Sequence, residues 1–321
     1  MIKSEIIINE NILQRFRLLN ERGWLAHAYL FIGPKGCGKS ETALEVAKLV
    51  NCESRQNSGC QCEPCRKIDA GNHPDLTIVD HGEDQSIKIH KIRDLIQKIQ
   101  LLPYEGKKKV LILKDIDLLT PESANALLKT LEEPTSSSLF LLTTSVPERV
   151  FETIRSRCHS VHFFGCSRED ILKQLKNRTR ISQEQGEVIA GFAEGCFGKA
   201  CRMQEEDFVT YKNGVIDQFL SKGMDERFFK SITGDNEKVK DALAILFFCF
   251  KDMLLLKTNV PGQRLTNNDR RDELAAYSAH RSMGRLQEIL ASVVETKKML
   301  DAGLNIKIPL MLLKEKIWSN T

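Results

Sequence analysis

The stretch Ala28-Tyr29-Leu30-Phe31-Ile32-Gly33-Pro34-Lys35-Gly36-Cys37-Gly38-Lys39-Ser40 sets an apolar run against a glycine-rich turn, and a helical pattern follows from Glu41 through Leu49. Strand, glycine-rich loop and helix in that order make a phosphate-binding loop. Its glycines let backbone N–H groups turn inward around phosphates, and Lys39 reaches their outer oxygens. The Ser40 hydroxyl can ligate Mg²⁺, and the helix N-terminus favours an anion. Gly33 to Ser40 are therefore the expected nucleotide-binding residues, for ATP or ADP with Mg²⁺.

Hydrolysis by such a protein needs an acidic residue at the end of a neighbouring buried strand to hold the metal, and a group to orient water. The candidate strand is Lys109-Val110-Leu111-Ile112-Leu113, whose β-branched and aliphatic run fits a parallel strand covered on both faces. It is followed by Lys114-Asp115, where an active ATPase carries Asp-Glu. Lys114 replaces a metal ligand with a like charge, and Asp115 is a methylene shorter than glutamate. The expectation is a site that holds nucleotide and is weak or dead for hydrolysis on its own.

A chain of 321 residues exceeds one typical core, which predicts two or three domains. Its 47 basic and 43 acidic residues nearly cancel, so the net charge of +4 does not establish nucleic-acid binding. No apolar segment approaches the roughly 20 residues of a membrane span, and Met1-Ile2-Lys3-Ser4-Glu5 opens no signal peptide. The cytoplasm is the expected compartment, where ten cysteines are not expected to form disulfides.

Four of those cysteines cluster as Cys52, Cys60, Cys62 and Cys65 among polar, turn-forming residues. Four thiolates close a tetrahedral zinc site, and a metal replaces a hydrophobic core in a loop too small to have one. Such zinc is structural, with no open position for catalysis. A single residue separates Cys60 from Cys62, one fewer than in the familiar knuckle; the alternative is a set of solvent-exposed thiols. The scattered Cys37, Cys158, Cys166, Cys196, Cys201 and Cys249 read mostly as packing residues.

From residue 28 to 165 apolar strands alternate with amphipathic stretches, the pattern of a parallel sheet with helices on both faces. The expected strands are Tyr29 to Ile32, Leu76 to Asp80, Val110 to Leu113, Leu139 to Thr144 and Val161 to Phe164. Ligands sit at the carboxyl ends of such strands, where Gly33, Lys114 and Ser145 fall. Beyond Phe164 the pattern is helical: Arg168 to Asn177, Glu184 to Ala193, Lys238 to Leu256, Arg281 to Leu300 and Pro309 to Trp318, punctuated by Gly195, Gly198, Gly223 and Pro261-Gly262. The run Ala242 to Phe250 is apolar nearly all round, which fits either a buried helix or one covered by other subunits.

Three further blocks make a resemblance specific: His27-Ala28-Tyr29-Leu30-Phe31, the twelve residues Ser123 to Pro134, and Ile154-Arg155-Ser156-Arg157-Cys158. With the cysteine insertion, they resemble the bacterial clamp-loader AAA+ subunits over residues 5 to 205. The resemblance implies an α/β AAA+ P-loop domain over 1–165 with the zinc insertion at 52–65, a small helical lid over 166–205, and an all-helical collar over 206–321. Within the family the chain looks more like the delta-prime stator than the ATP-hydrolysing gamma/tau subunit. Lys114-Asp115 stands for the acidic pair, Gly198 stands where the lid arginine is expected with Lys199 beside it, and the chain ends after a collar-sized domain.

By the same resemblance Arg157 is an arginine finger working in trans on a neighbour's γ-phosphate, and Thr144 and Ser145 form the first-sensor region. The implied partners are gamma/tau and delta subunits, with the sliding clamp and primed DNA met through the assembled complex, as part of the DNA polymerase III holoenzyme; nothing in the chain itself polymerises nucleotides. Lys88, Lys91 and Arg93 read equally as a DNA-backbone contact or a solvated helix face. Two other readings stay open: a gamma/tau-type ATPase in which Asp115 rescues metal binding, and a free-standing P-loop protein with nucleotide as a structural ligand.

Overall fold

The computed structural model describes residues 9–54, 60–82, 86–178, 181–220, 226–258, 265–302 and 304–318. Gly223, Pro261-Gly262 and residues 55–59 of the cysteine loop lie outside the described residues. The chain divides into two compact units, Met1–Cys166 with Gly195–Lys199, and Ser167–Glu194 with Ala200–Thr321. The boundary expected at 205 falls inside the second unit.

The first unit runs α1 (Glu10–Glu21), β1 (Ala28–Ile32), α2 (Lys39–Asn51), α3 (Glu63–Asp69), β2 (Leu76–Val79), α4 (Ile89–Gln100), β3 (Lys109–Leu113), α5 (Pro121–Glu132), β4 (Ser138–Thr144), α6 (Glu152–Arg155) and β5 (His159–His162). The five strands form one sheet in the order β2-β3-β4-β1-β5, and every pairing is parallel. Alternation explains why β1 is apolar throughout. Ala28, Leu30 and Ile32 enter a core with Ile92, Leu95 and Leu127 of α4 and α5. Tyr29 and Phe31 enter the opposite core with Phe16, Val46 and Val50 of α1 and α2.

The loops after β1, β3 and β4 therefore emerge together at the carboxyl edge. Local chemistry starts the helices: Asn9 caps α1 through Ile12 N–H at 3.2 Å, and Thr120 caps α5 with Pro121 in its first turn. The last strand corrects the expectation of 161–164. Pairing to β1 begins at His159 opposite Tyr29 and ends at His162. Phe163 continues inward as a buried core residue whose N–H meets the Ile32 carbonyl at 2.7 Å, while Phe164 is exposed. Apolar residues drew the expected strand past its end, and the polar His159 and Ser160 at the sheet edge hid its true start.

The second unit contains α7 (Arg168–Arg178), α8 (Gln183–Phe192), most of α9 (Phe197–Glu205), α10 (Phe208–Leu220), α11 (Glu226–Thr233), α12 (Asn236–Lys257), α13 (Arg271–Ala279), α14 (Met283–Asp301) and α15 (Lys307–Trp318). α12 packs against α10, α11, α13 and α14. In its run Ala242 to Phe250, only Ala244 and Phe247 are partly exposed, so this helix is the core of its own unit. α14 begins at Met283 and not Arg281, because the Ser282 side chain accepts the Arg285 N–H as its N-cap. Among the described residues no helix is long and apolar enough to cross a membrane.

Candidate functional site

Gly33 follows β1 between the ends of β4 and β5, and its N–H donates to the Thr144 carbonyl at 3.3 Å. Gly38, left-handed at φ 86°, starts α2, which places Lys39 in the first turn with its side chain folded back into the loop. The ammonium donates to the carbonyls of Gly33 at 2.7 Å and Pro34 at 2.8 Å, and to Ser145 Oγ at 3.2 Å. Only 6% of Lys39 is exposed. Burial lowers its pKa, against the opposing pull of Cys37 and Asp115, and burial raises the Cys37 thiol. Pro34, Lys35 and Gly36 are exposed, Cys37 and Gly38 are buried, and Ser40 is partly exposed at the start of α2.

The segment Gly195 to Lys199 belongs to the same unit and closes on this loop. Gly198 N–H donates to the Gly36 carbonyl at 3.1 Å. A Cβ at Gly198 would lie 2.9 Å from that oxygen, closer than real side chains come. The position at which a lid arginine is expected thus admits no side chain without displacing the loop.

After β3 the two residues expected at the metal-holding position part company. Lys114 pairs with Asp80 at the end of β2, at 3.9 Å. Asp115 takes a left-handed conformation at φ 52° and lies within electrostatic reach of Lys39; its N–H donates to Thr143 Oγ1 at 3.2 Å. The two hydroxyls expected to form the first-sensor region also differ. Thr144 Oγ1 is bound to Asp117 at 2.5 Å and accepts the Val146 N–H at 3.0 Å, so Ser145 is the hydroxyl that meets the phosphate-loop lysine.

Arg157 lies in the turn between α6 and β5. Its Nη1 donates to the Thr153 carbonyl at 2.9 Å and to Ser156 Oγ at 3.3 Å, and Nη2 pairs with Glu132 at the end of α5. The side chain is 34% exposed. Its neighbour Cys158 is partly buried, and burial pushes its thiol up to about 12.

The ligand atoms of Cys52, Cys60, Cys62 and Cys65 all lie within 4.8 Å of one another, with Cys52 Sγ to Cys62 Sγ at 3.8 Å. Four thiolates about 2.3 Å from one tetrahedral zinc stand about 3.8 Å apart, so the donor set fits that ion despite the short Cys60-Cys62 spacing. Burial would push the Cys62 thiol up, but hydrogen bonds from the backbone of Glu53 and Cys65 outweigh it and bring it down to about 6.

Two residues behind this module carried no recognisable sequence signal. Asp75, inside the loop His73-Pro74-Asp75, accepts the N–H groups of Tyr104, Glu105 and Gly106 at 2.7, 2.9 and 2.7 Å. Asn51, ending α2, accepts from Lys107 N and Lys108 N, both at 2.9 Å, and donates to the Lys108 carbonyl at 3.0 Å. Their partners stand far along the chain, where no local pattern reaches. Lys88 and Arg93 are exposed, while the Lys91 ammonium meets the His81 carbonyl at 3.2 Å.

The family model described as DNA polymerase III, delta subunit, matches residues 8–166. A second, for the C-terminal part of the same DNA polymerase III delta subunit, matches residues 209–315. The chain is 27% identical over 296 residues to DNA polymerase III subunit delta′ of Bacillus subtilis, covering 89% of each. It is 31% identical over 291 residues to subunit tau of the same organism, covering 81% of this chain and 51% of the relative. With subunit tau of Escherichia coli it shares 33% over 225 residues, and there it spans only 35% of the relative's length. Among solved structures, the DNA polymerase III gamma subunit-related protein of Thermotoga maritima has the same fold, with a TM-score of 0.53 at 19% identity over 95% of this chain and 98% of that one. With delta-subunit models matching both parts of the chain and a delta′ relative aligned along nearly its whole length, the chain belongs to the AAA+ clamp-loader subunits of bacterial DNA polymerase III, beside delta-prime and gamma/tau.

Proposed function

We propose that the chain acts as a delta-prime-like stator of the cytoplasmic replicative clamp loader. It joins gamma/tau and delta subunits through its C-terminal collar (206–321), supplies Arg157 in trans to a neighbour's ATP site, and helps place the sliding clamp on primed DNA. The lid (166–205) and the zinc-bearing P-loop domain (1–165) are its other working parts. The observation that carries this reading is the contrast between the two charged sites. The metal-holding position is a lysine paired with Asp80, whereas Arg157 offers its guanidinium at a partly exposed turn.

A guanidinium fork reaching a neighbour's γ-phosphate neutralises charge that develops in phosphoryl transfer. Hydrolysis in that site then depends on the ring being assembled, which couples turnover to clamp placement. In the chain's own loop Gly33 to Ser40 would hold ATP or ADP with Mg²⁺, the lysine and loop amides facing the phosphates. Cys52, Cys60, Cys62 and Cys65 would hold zinc, which supplies a structural cross-link. Alignment with the delta′ relative along 89% of both chains supports the stator assignment.

The test is Arg157→Ala in a loader reconstituted with gamma/tau, delta, clamp and primed DNA. ATP hydrolysis is expected to fall by at least about threefold with the complex intact on gel filtration; unchanged turnover would sink the finger role. A second reading, a gamma/tau-type ATPase, is favoured by Asp115 standing within electrostatic reach of Lys39. Intrinsic hydrolysis by the purified chain, abolished by Asp115→Ala, would promote it. A chain that stays apart from both partner subunits would favour the free-standing binding protein.

A further inference from the structure

Glu132 closes α5, with Glu133 directly after it. Carboxylates are disfavoured at a helix C-terminus, where the exposed carbonyls already present negative charge. Two in succession break a local rule, and a residue that does so is expected to answer to a specific partner. For Glu132 that partner is Arg157, on a different element and 25 residues further along the chain.

The geometry around Arg157 gives the pair a purpose. Nη1 is held by the Thr153 carbonyl and Ser156 Oγ, and Nη2 by Glu132. These contacts engage three of the five N–H donors of a guanidinium and fix its plane, and the planar fork keeps further donors for an incoming anion. An ion pair this exposed, with side chains 34% and 48% accessible, contributes little to folding. Its consequence is orientation: the long arginine side chain is ordered before a phosphate arrives, so less freedom is lost on engagement.

We propose that Glu132 is a positioning residue for Arg157, holding the guanidinium in the orientation from which it meets a neighbouring subunit's γ-phosphate. This rests on the finger reading above. Glu132 does not touch the nucleotide; it acts through Arg157 alone, so its effect disappears when the arginine is gone.

The experiment measures ATP hydrolysis against ATP concentration in the loader reconstituted with gamma/tau, delta, clamp and primed DNA. It compares the unaltered chain with Glu132→Ala, Glu132→Gln, Arg157→Ala and the double alanine variant. Glu132→Ala is expected to lower kcat about threefold or more, and by no more than Arg157→Ala does, with assembly intact. Glu132→Gln, which keeps an acceptor oxygen, restores at least about half of the lost rate. The double variant is no slower than Arg157→Ala, since positioning a missing side chain has no value. A normal rate for Glu132→Ala beside a slow Arg157→Ala, losses that multiply in the double variant, or no rescue by glutamine would overturn the inference. A faster Glu132→Ala would make the carboxylate a restraint on the arginine, which also overturns it. Normal turnover of Arg157→Ala itself would remove the finger reading first, and this inference with it.

Discussion

Asp75 is a buried carboxylate held by charge-assisted bonds. Three successive amides, those of Tyr104, Glu105 and Gly106, point at its two oxygens, and Lys109 Nζ stands 3.4 Å away. Burial pushes its pKa up, but the amides and the lysine outweigh burial and hold it below the ordinary 3.8. Because the folded value is depressed, the stability it contributes is fully present above the unfolded value and is lost as pH falls through the folded one. Asp75→Ala should therefore cost about 3 kcal/mol at neutral pH, with three amides left unpaired. In urea titrations the difference from the unaltered chain should shrink as pH falls below 3.8; a constant difference would assign the cost to packing. Nothing in the sequence singles out Asp75, because the amides that hold it lie 29 to 31 positions away. The turn Gly33 to Ser40 between β1 and α2 was legible for the opposite reason: its shape is made by consecutive residues and their own backbone conformations.

Elements follow the same division between local and distant causes. The five strands and the helices α2, α7, α8, α12, α14 and α15 were readable from apolar pattern and glycine or proline breaks, and the sheet's parallel character from strands apolar on both faces. The bounds of β5 were not, since its start at His159 and end at His162 are fixed by pairing with β1. At Gly198 the sequence marks only an absent side chain, and the packing against the Gly36 carbonyl shows why none fits. Gly198→Ala should push the Gly36 carbonyl aside and cost about 1–3 kcal/mol, read as a lowered thermal midpoint; an unchanged midpoint would mean that the loop yields freely. The cysteine module is tied to the loop after α4 by more than its own thiols. Lys107 Nζ donates to the Cys52 carbonyl at 2.6 Å, and Lys67 of α3 bridges to Glu105 at 2.7 Å. The purified chain should carry about one zinc per molecule. Cys62→Ser should lower that content, and the thermal midpoint with it, and a metal-free chain of undiminished stability would reduce the cluster to four free thiols.

At the scale of the whole molecule, the two cations Lys39 and Arg157 have different partners, and under the proposed reading the difference would distinguish a stator from an ATPase. Lys39 is already satisfied within its own loop: its ammonium holds the Gly33 and Pro34 carbonyls together and meets Ser145. Lys39→Ala leaves two loop carbonyls without their cation, so it should lower the stability of the purified chain by about 1–2 kcal/mol whether or not the loop binds ATP. In the assembled loader the stator reading gives a different outcome for the same variant. Turnover occurs in sites held by the neighbours, so once the variant is incorporated, ATP hydrolysis should stay within about twofold of normal, against the larger loss expected for Arg157→Ala. If Lys39→Ala instead stopped turnover as fully as Arg157→Ala, the chain's own site would be a working one. Asp115, close enough to Lys39 to influence its charge, would then be the residue to credit with the metal.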